Sequence, residues 1–414
     1  MSISSALSNA ASGLAANARQ LGVTSDNIAN AMTKGFAART VTLGTRPGGA
    51  GGVAVLSVDP SADPAVTALR READAAAAGA TIRAEGLVRL AGAFGELGDA
   101  DSLFQRQTAF KQSLVALAEA PENEVRQKAT AQAAENLSKA FNRASDAAIG
   151  TRADADAEIA RLVGTVNEAT SRIADLNIQI RRLTALGSDV ANLVDDRNRL
   201  IDRVAASLPV RVDARDDGSI VLRTASGLTL VDRTAREISF SPSPTVTANM
   251  SYADGTGALS GLSLSGVDIT PGGTGVQRIE GGALAAAFSL RDMDGPAFQE
   301  RLDSLAAELA FRLDEPAVDG TRPPGAPGIF AAGGAPITPG YSPGLAGDIE
   351  LNPLLDPVSG NPALLRDGLG STGPGPAAAD ALPRAFLAAL DAAAGYPLPG
   401  AATDISFTDR VATA

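Results

Sequence analysis

The sequence has no cysteine and no histidine. Zinc sites built on thiolate or imidazole are therefore excluded, as are cysteine nucleophiles and every histidine-based triad. Disulfides are excluded as well, so packing alone must hold the fold. Tryptophan is also absent and aromatic residues make up only 4% of the chain, which suits closely packed helices more than a large aromatic-lined pocket. Positive charge is scarce: 35 Lys and Arg face 47 Asp and Glu, and the net charge of −12 argues against a general nucleic-acid binder. The first 46 residues depart from that balance, with Arg19, Lys34, Arg39 and Arg46 against Asp26 alone. Four cations with a single aromatic, Phe36, among them make a weak nucleic-acid or membrane site and suit interface contacts or export handling better. No apolar run approaches 18 residues, and no charged segment leads into an apolar core at the N-terminus. Neither membrane insertion nor a cleaved signal peptide is expected.

What is present is a chain of 414 residues, 45% hydrophobic and 20% charged, a globular balance long enough for two to four modules. The first segment has heptad spacing: Ile3, Leu7, Ala10, Leu14, Leu21 and Ile28 share one seam, interrupted by Asn17 and Thr24. So narrow a seam cannot form a core and asks for a partner helix. Two short β-like runs, 40–43 and 53–58, flank a glycine-rich loop. From Ala65 to about Ala148 the pattern is helical, broken near Gly98 and at Pro121, where Glu122 and Glu124 suit a helix start. Thr151 with Asp154 resembles a capping box opening a new helix. Behind it Ile159, Leu162, Val166, Ala169, Ile173, Leu176, Ile180 and Leu183 alternate steps of three and four, a seam of about four heptads that ends at Gly187. A further helix over 190–208 stops at Pro209.

Composition then turns to Val, Thr, Ser and Gly, with turn signals at Asp217-Gly218, Asp254-Gly255 and Gly272-Gly273. The fold class expected is α+β and multidomain: a long-helix bundle with an N-terminal coiled-coil-type helix and an inserted β domain. The expected divisions are 1–45 (helix and turn), 46–208 (helical domain), 209–280 (β insert), 281–315 (return helix), 316–376 (irregular extension) and 377–414 (terminal helix and tail). The fifth holds half of the 24 prolines and is expected to be loop-rich or irregular β structure.

Residues 12 to 39 carry the most informative motif: Ser12-Gly13-Leu14, Leu21, Asn27-Ile28-Ala29-Asn30, Thr33, Gly35-Phe36 and Arg39. In chemical terms, Asn30 and Gly35 suit turning backbone that stops a helix, and Phe36 can staple the turn onto the seam. The same residues also read as an ordinary capped helix followed by a hairpin. As a set they resemble the N-terminal signature of flagellar rod, hook and hook-associated proteins, with Phe36 where that family usually has Tyr. The long helical middle separates the chain from hook and rod types and is similar to hook-associated proteins of the FlgK type. Val166-Asn167, Ile173-Ala174-Asp175-Leu176-Asn177 and Asp196-Arg197 resemble that family's long D1 helix region, and Asp216-Asp217-Gly218 its entry into the β insert.

The resemblance implies a structural, non-enzymatic component of the hook–filament junction, exported to the cell exterior by the flagellar type III route without a cleaved signal. It implies packing with like subunits in a ring, contact with the hook protein and the other junction protein, and handling by an export chaperone. No cofactor, metal or catalytic residue is implied. The working residues are the self-assembly seam Ile3, Leu7, Leu14, Leu21 and Ile28. Family members close with a C-terminal heptad helix that pairs with the N-terminal one in a D0 tube, and the expectation is a chain lacking that helix, since the tail to Ala414 shows no such heptad.

Other constellations are weaker. Asp195-Asp196 are adjacent on a helix and point about 100° apart, so surface or ion-pair duty is expected rather than shared acid–base work. Asp154 and Asp156 are expected as charges of a helix N-terminus. Gly272-Gly273-Thr274-Gly275 lacks the Lys-Ser/Thr of a phosphate loop. A fused carbohydrate-degrading activity would need two carboxylates facing across a cleft, and the β insert offers no obvious pair.

Overall fold

The computed structural model describes residues 3–33, 36, 38–46, 51–61, 63–95, 98–252, 257–337, 342–393 and 406–413. The turn expected at Asp254-Gly255, and Gly35 of the motif, lie outside the described residues.

Two compact units result. The first gathers Met1–Ile82, Ile159–Ser241 and Gly261–Ala286. It holds helix α1 (Ile3–Ala29), the antiparallel hairpin β1 (Arg39–Thr45) and β2 (Val53–Pro60), and the start of α2 (Pro64–Phe94). It also holds the C-terminal part of α4 (Glu124–Ala185) and α5 (Ala191–Ser207). Two small antiparallel sheets complete it: β3 (Val210–Ala214), β4 (Ile220–Thr224) and β5 (Thr229–Val231), then β6 (Ile238–Ser239), β7 (Ser263–Leu264) and β8 (Val267–Asp268).

The seam of α4 forms the spine of this unit. Ile159, Val166, Ile173 and Ile180 are fully buried, Leu162 and Ala169 nearly so, and Leu176 and Leu183 half-buried. A 3.5-residue period on a long helix delivers one continuous apolar stripe, and here sheet and helix cover it.

The second unit gathers Arg83–Glu158, Pro242–Ser260 and Ala287–Ala414. Its core packs Phe110, Leu114 and Leu117 of α3 (Leu103–Glu119) with Leu137 and Phe141 of α4 and Leu302 and Leu309 of α7 (Gly295–Asp314). Local chemistry sets the helix starts: Ser102 accepts the Gln105 amide at 3.2 Å, and Asn123 accepts the Val125 amide at 2.9 Å. The α4 cap is thus Asn123, with Glu124 in its first turn, and Pro121 and Glu122 precede it.

The capping box at Thr151 is not one. Helix α4 runs unbroken through it, and the Thr151 hydroxyl donates back to the Ala147 carbonyl at 2.8 Å. Ala144, Ala148 and Ala155 are buried on either side, so the core-facing stripe continues across the point where local polarity suggests a start.

The Pro/Gly-rich stretch is not peripheral. It contributes Ile329, Phe330, Ile349, Leu355 and Leu365 to the core, all fully buried, and strands β9 (Phe330–Ala332) and β10 (Ile349–Leu351) pair antiparallel. Helices α10 (Ala381–Asp391) and α11 (Phe407–Thr413) add Phe386, Leu390 and Phe407. Among the described residues no helix is long and apolar enough to cross a membrane.

Candidate functional site

Helix α1 has two opposite faces, and the apolar one is not the one that packs. Ser5, Asn9, Ser12, Ala16, Val23, Asn27 and Asn30 are buried or half-buried. Asn27 aside, each of these lies two residues from a seam position, or about 200° around a helix of 100° per residue. The seam therefore turns outward: Ile3 is 90% exposed, Leu7 71%, Leu14 73%, Leu21 71% and Ile28 74%. Burying large aliphatic side chains is worth about 1.5–3 kcal/mol each. Five left in water along one stripe form a continuous apolar face rather than scattered surface hydrophobics.

Polar chemistry holds α1 in place. The Ser12 hydroxyl donates to the Asn9 carbonyl at 2.8 Å and accepts from the Val53 amide at 3.1 Å, joining the helix to β2. Asn27 accepts the Arg39 amide at 2.9 Å and donates to the Arg39 carbonyl at 2.8 Å, so one side-chain amide pairs with both backbone groups of the first residue of β1. Asn30 donates from its side chain to the Asp26 carbonyl at 3.0 Å and closes the helix, and Thr33 donates its amide to Asn30 at 2.8 Å.

Arg39 then reaches α5, where its guanidinium pairs with Asp195 and meets Asn192 at 3.3 Å. That guanidinium lies 5.5 Å from the Phe36 ring centre, and the turn that Phe36 follows is closed by its amide on Thr33 at 3.1 Å. A second pair, Arg19 with Asp189, ties the middle of α1 to the loop before α5. The motif residues thus divide by role. Ser12, Asn27, Asn30, Thr33 and Arg39 position the helix, Leu14 and Ile28 face outward, Gly13 is half-buried, and Ala29 ends the helix exposed.

The remaining candidates resolve as structural contacts. Asp195 serves Arg39, and its neighbour Asp196 pairs with Arg199 on the exposed side of α5. Asp156 is not a helix-terminal charge: it is fully buried in the second unit, where Arg291 donates to it at 2.7 Å and the Ser243 amide at 2.7 Å.

Two residues that periodicity passes over repeat the Asn27 device. Asn167 accepts the Ile238 amide and donates to the Ile238 carbonyl, both at 2.9 Å. Asn177 does the same at Ile220, at 3.2 and 2.9 Å, and also accepts from Arg197 at 3.0 Å. Each helical amide completes a strand edge that would otherwise carry unpaired backbone groups. Burial pushes the Arg197 guanidinium down to about 10; its other donor bond goes to the Gly218 carbonyl at 2.8 Å. An asparagine inside an apolar heptad was the sequence signal for both. Asn177→Ala is expected to cost about 2 kcal/mol, since it strands Ile220 and Arg197. Hydrogen exchange would show the loss as weaker protection of the β3–β4 amides, and unchanged protection there would count against the device.

Known proteins resemble the chain along most of its length. The family model of the flagellar hook-associated protein FlgK helical domain matches residues 87–329, and that of the flagella basal body rod protein matches residues 7–36. Flagellar hook-associated protein 1 of Escherichia coli (strain K12) is 36% identical over 100 residues, which is 23% of this chain and 18% of that protein. The protein of the same name from Salmonella typhimurium is 36% identical over 98 residues, 22% of this chain and 18% of its own length. The matched stretch thus spans under a fifth of these relatives. The structure of the flagellar hook junction protein FlgK from Burkholderia pseudomallei superposes with a TM-score of 0.48 at 18% identity, covering 64% of this chain and 46% of that one.

Proposed function

Because the chain belongs to the family of the flagellar hook-associated protein FlgK, we propose that it is an axial structural subunit of the bacterial flagellum at the junction of hook and filament. It works without catalysis, by helix-mediated assembly. Like subunits form a ring that adjoins the hook protein on one side and the other junction protein on the other. The subunit reaches the cell exterior by flagellar export, with a chaperone guarding its apolar seam beforehand.

The observation that carries this reading is the orientation of α1. Five aliphatic side chains at heptad spacing face water while the helix docks through a small, polar face. Apolar side chains at heptad spacing suit a partner helix. The α4 seam, buried within the subunit, supplies stiffness instead of contact.

The test is complementation. Cells lacking the gene are expected to carry hooks without filaments, and the intact gene to restore filaments. Leu14→Asp with Leu21→Asp is expected to fail in that restoration while leaving the purified protein's melting temperature unchanged, because both side chains are already in water. Full motility of the double variant would overturn the role of the seam, and filamented deletion cells would overturn the function.

A further inference from the structure

The second unit includes Pro242–Ser260, which lies in the connection from β6 to β7. Those strands pair directly, Ile238 with Leu264 and Ser239 with Ser263, and antiparallel neighbours can be joined by a turn of about two residues. The chain takes a long detour instead. Within it, residues 242–252 and 257–260 form neither helix nor strand, yet Val246, Tyr252 and Leu259 are buried. Irregular backbone taken out of water needs donors for carbonyls that no neighbouring strand serves.

Two fully buried arginines supply them. Arg152 on α4 donates from Nη1 to the Thr247 and Ala248 carbonyls at 3.0 and 3.3 Å, and from Nη2 to the Met250 carbonyl at 2.5 Å. Its Nε donates to the Arg291 carbonyl at 2.8 Å, and Arg291 in turn donates to the Ser260 carbonyl at 2.9 Å. Asp156, one turn further along α4, accepts the Ser243 amide at 2.7 Å. Each of these contacts with the detour ends on a backbone atom. Gly295 keeps the path of the Arg152 stem open, since a Cβ there would fall 2.5 Å from its Cγ. A planar fork of N–H donors gathers several carbonyls at once, which a point-like ammonium does poorly and an apolar side chain not at all.

We propose that Arg152, Arg291 and Asp156 form a clamp that reads peptide backbone, with 242–260 as its captive ligand. The segment is a strap, fastened to α4 through its main chain rather than its side chains, and Arg152 is the residue that positions it. Such a clamp can release the strap while the helices beneath it stay folded.

The test is hydrogen exchange on the full chain, read at Met250 and Leu259, whose amides donate within the strap to the Thr247 and Ser251 carbonyls at 3.2 and 3.1 Å. Arg152→Ala is expected to speed exchange at both about a hundredfold, while amides of α3 and α7 change by about threefold or less. Guanidinium chloride at millimolar concentration is expected to restore protection in that variant, because the free ion returns N–H donors to the vacated carbonyls. Tetramethylammonium, a cation without such donors, is expected to restore none. Thr245→Ala and Met250→Leu change strap side chains alone and are expected to shift exchange by about twofold at most. Should Arg152→Ala fail to fold, the two ions are compared on its circular dichroism, with recovery expected from guanidinium only. Unchanged strap exchange, equal acceleration across α3 and α7, equal recovery with both ions or with neither, or strap variants as damaging as Arg152→Ala would each overturn the proposal.

Discussion

Arg291→Met is expected to destabilise the second unit by about 3–5 kcal/mol, the usual cost of removing one partner from a buried ion pair. Arg291 is fully buried at the π-turn 290–294 between α6 (Gly282–Ser289) and α7, and so is Asp156 on α4. The guanidinium donates to Asp156 at 2.7 Å, to Asp292 at 2.8 Å and to the Ser260 carbonyl at 2.9 Å, and lies 4.6 Å from the Phe288 ring centre. Methionine fills much of the volume and leaves Asp156 as a buried anion with only the Ser243 amide. The paired variant Arg291→Met with Asp156→Leu removes both charges, so its loss is expected to fall short of the sum of the two single losses by about 2 kcal/mol. Thermal or urea unfolding of the four proteins checks this. Strict additivity would mean that the two side chains do not act as a unit.

That pair also shows where the sequence stops being readable. The α4 seam is legible because a 3.5-residue period is a local property of one helix, and Ile159 to Ile180 deliver it without a fault. The partner of Asp156 lies 135 positions away, and no local pattern encodes it. Thr151 and Asp154 mislead for a related reason. A threonine followed three residues later by an acid has the same chemistry at a helix start and in mid-helix, and only the apolar stripe running past it decides.

The stretch around Ile329, Phe330 and Ile349 escapes periodicity because short, turn-rich segments bury single side chains instead of stripes. The outward apolar face of α1 was half legible. Heptad spacing identifies Ile3, Leu7, Leu14, Leu21 and Ile28 as one face, but that this face points outward depends on Ser12, Asn27 and Arg39, polar residues whose bonds form only in the fold.

Asp314→Asn is expected to stabilise the protein at pH 8 and to do little at pH 4. Asp314 closes α7, where the helix dipole already disfavours an anion. Burial pushes its carboxyl up from 3.8 to about 6; Asp319 adds to that rise and Arg322 opposes it. Its Oδ1 is buried without a hydrogen-bond partner, and a Cβ on Gly328 would fall 1.4 Å from that oxygen, so a side chain at 328 has no room. Because the folded value is the higher one, the folded state holds the proton more tightly than the unfolded chain. Below the unfolded value both states are protonated and the group costs nothing. As pH rises through about 6 the folded protein must ionise a buried acid, and the full penalty is present above it. A rise of that size corresponds to about 3 kcal/mol. Asparagine keeps the shape without the charge, so the gain in melting temperature should be largest at pH 8 and shrink steadily towards pH 4. A gain that is the same at both pH values would show that shape, and not ionisation, governs this end of α7.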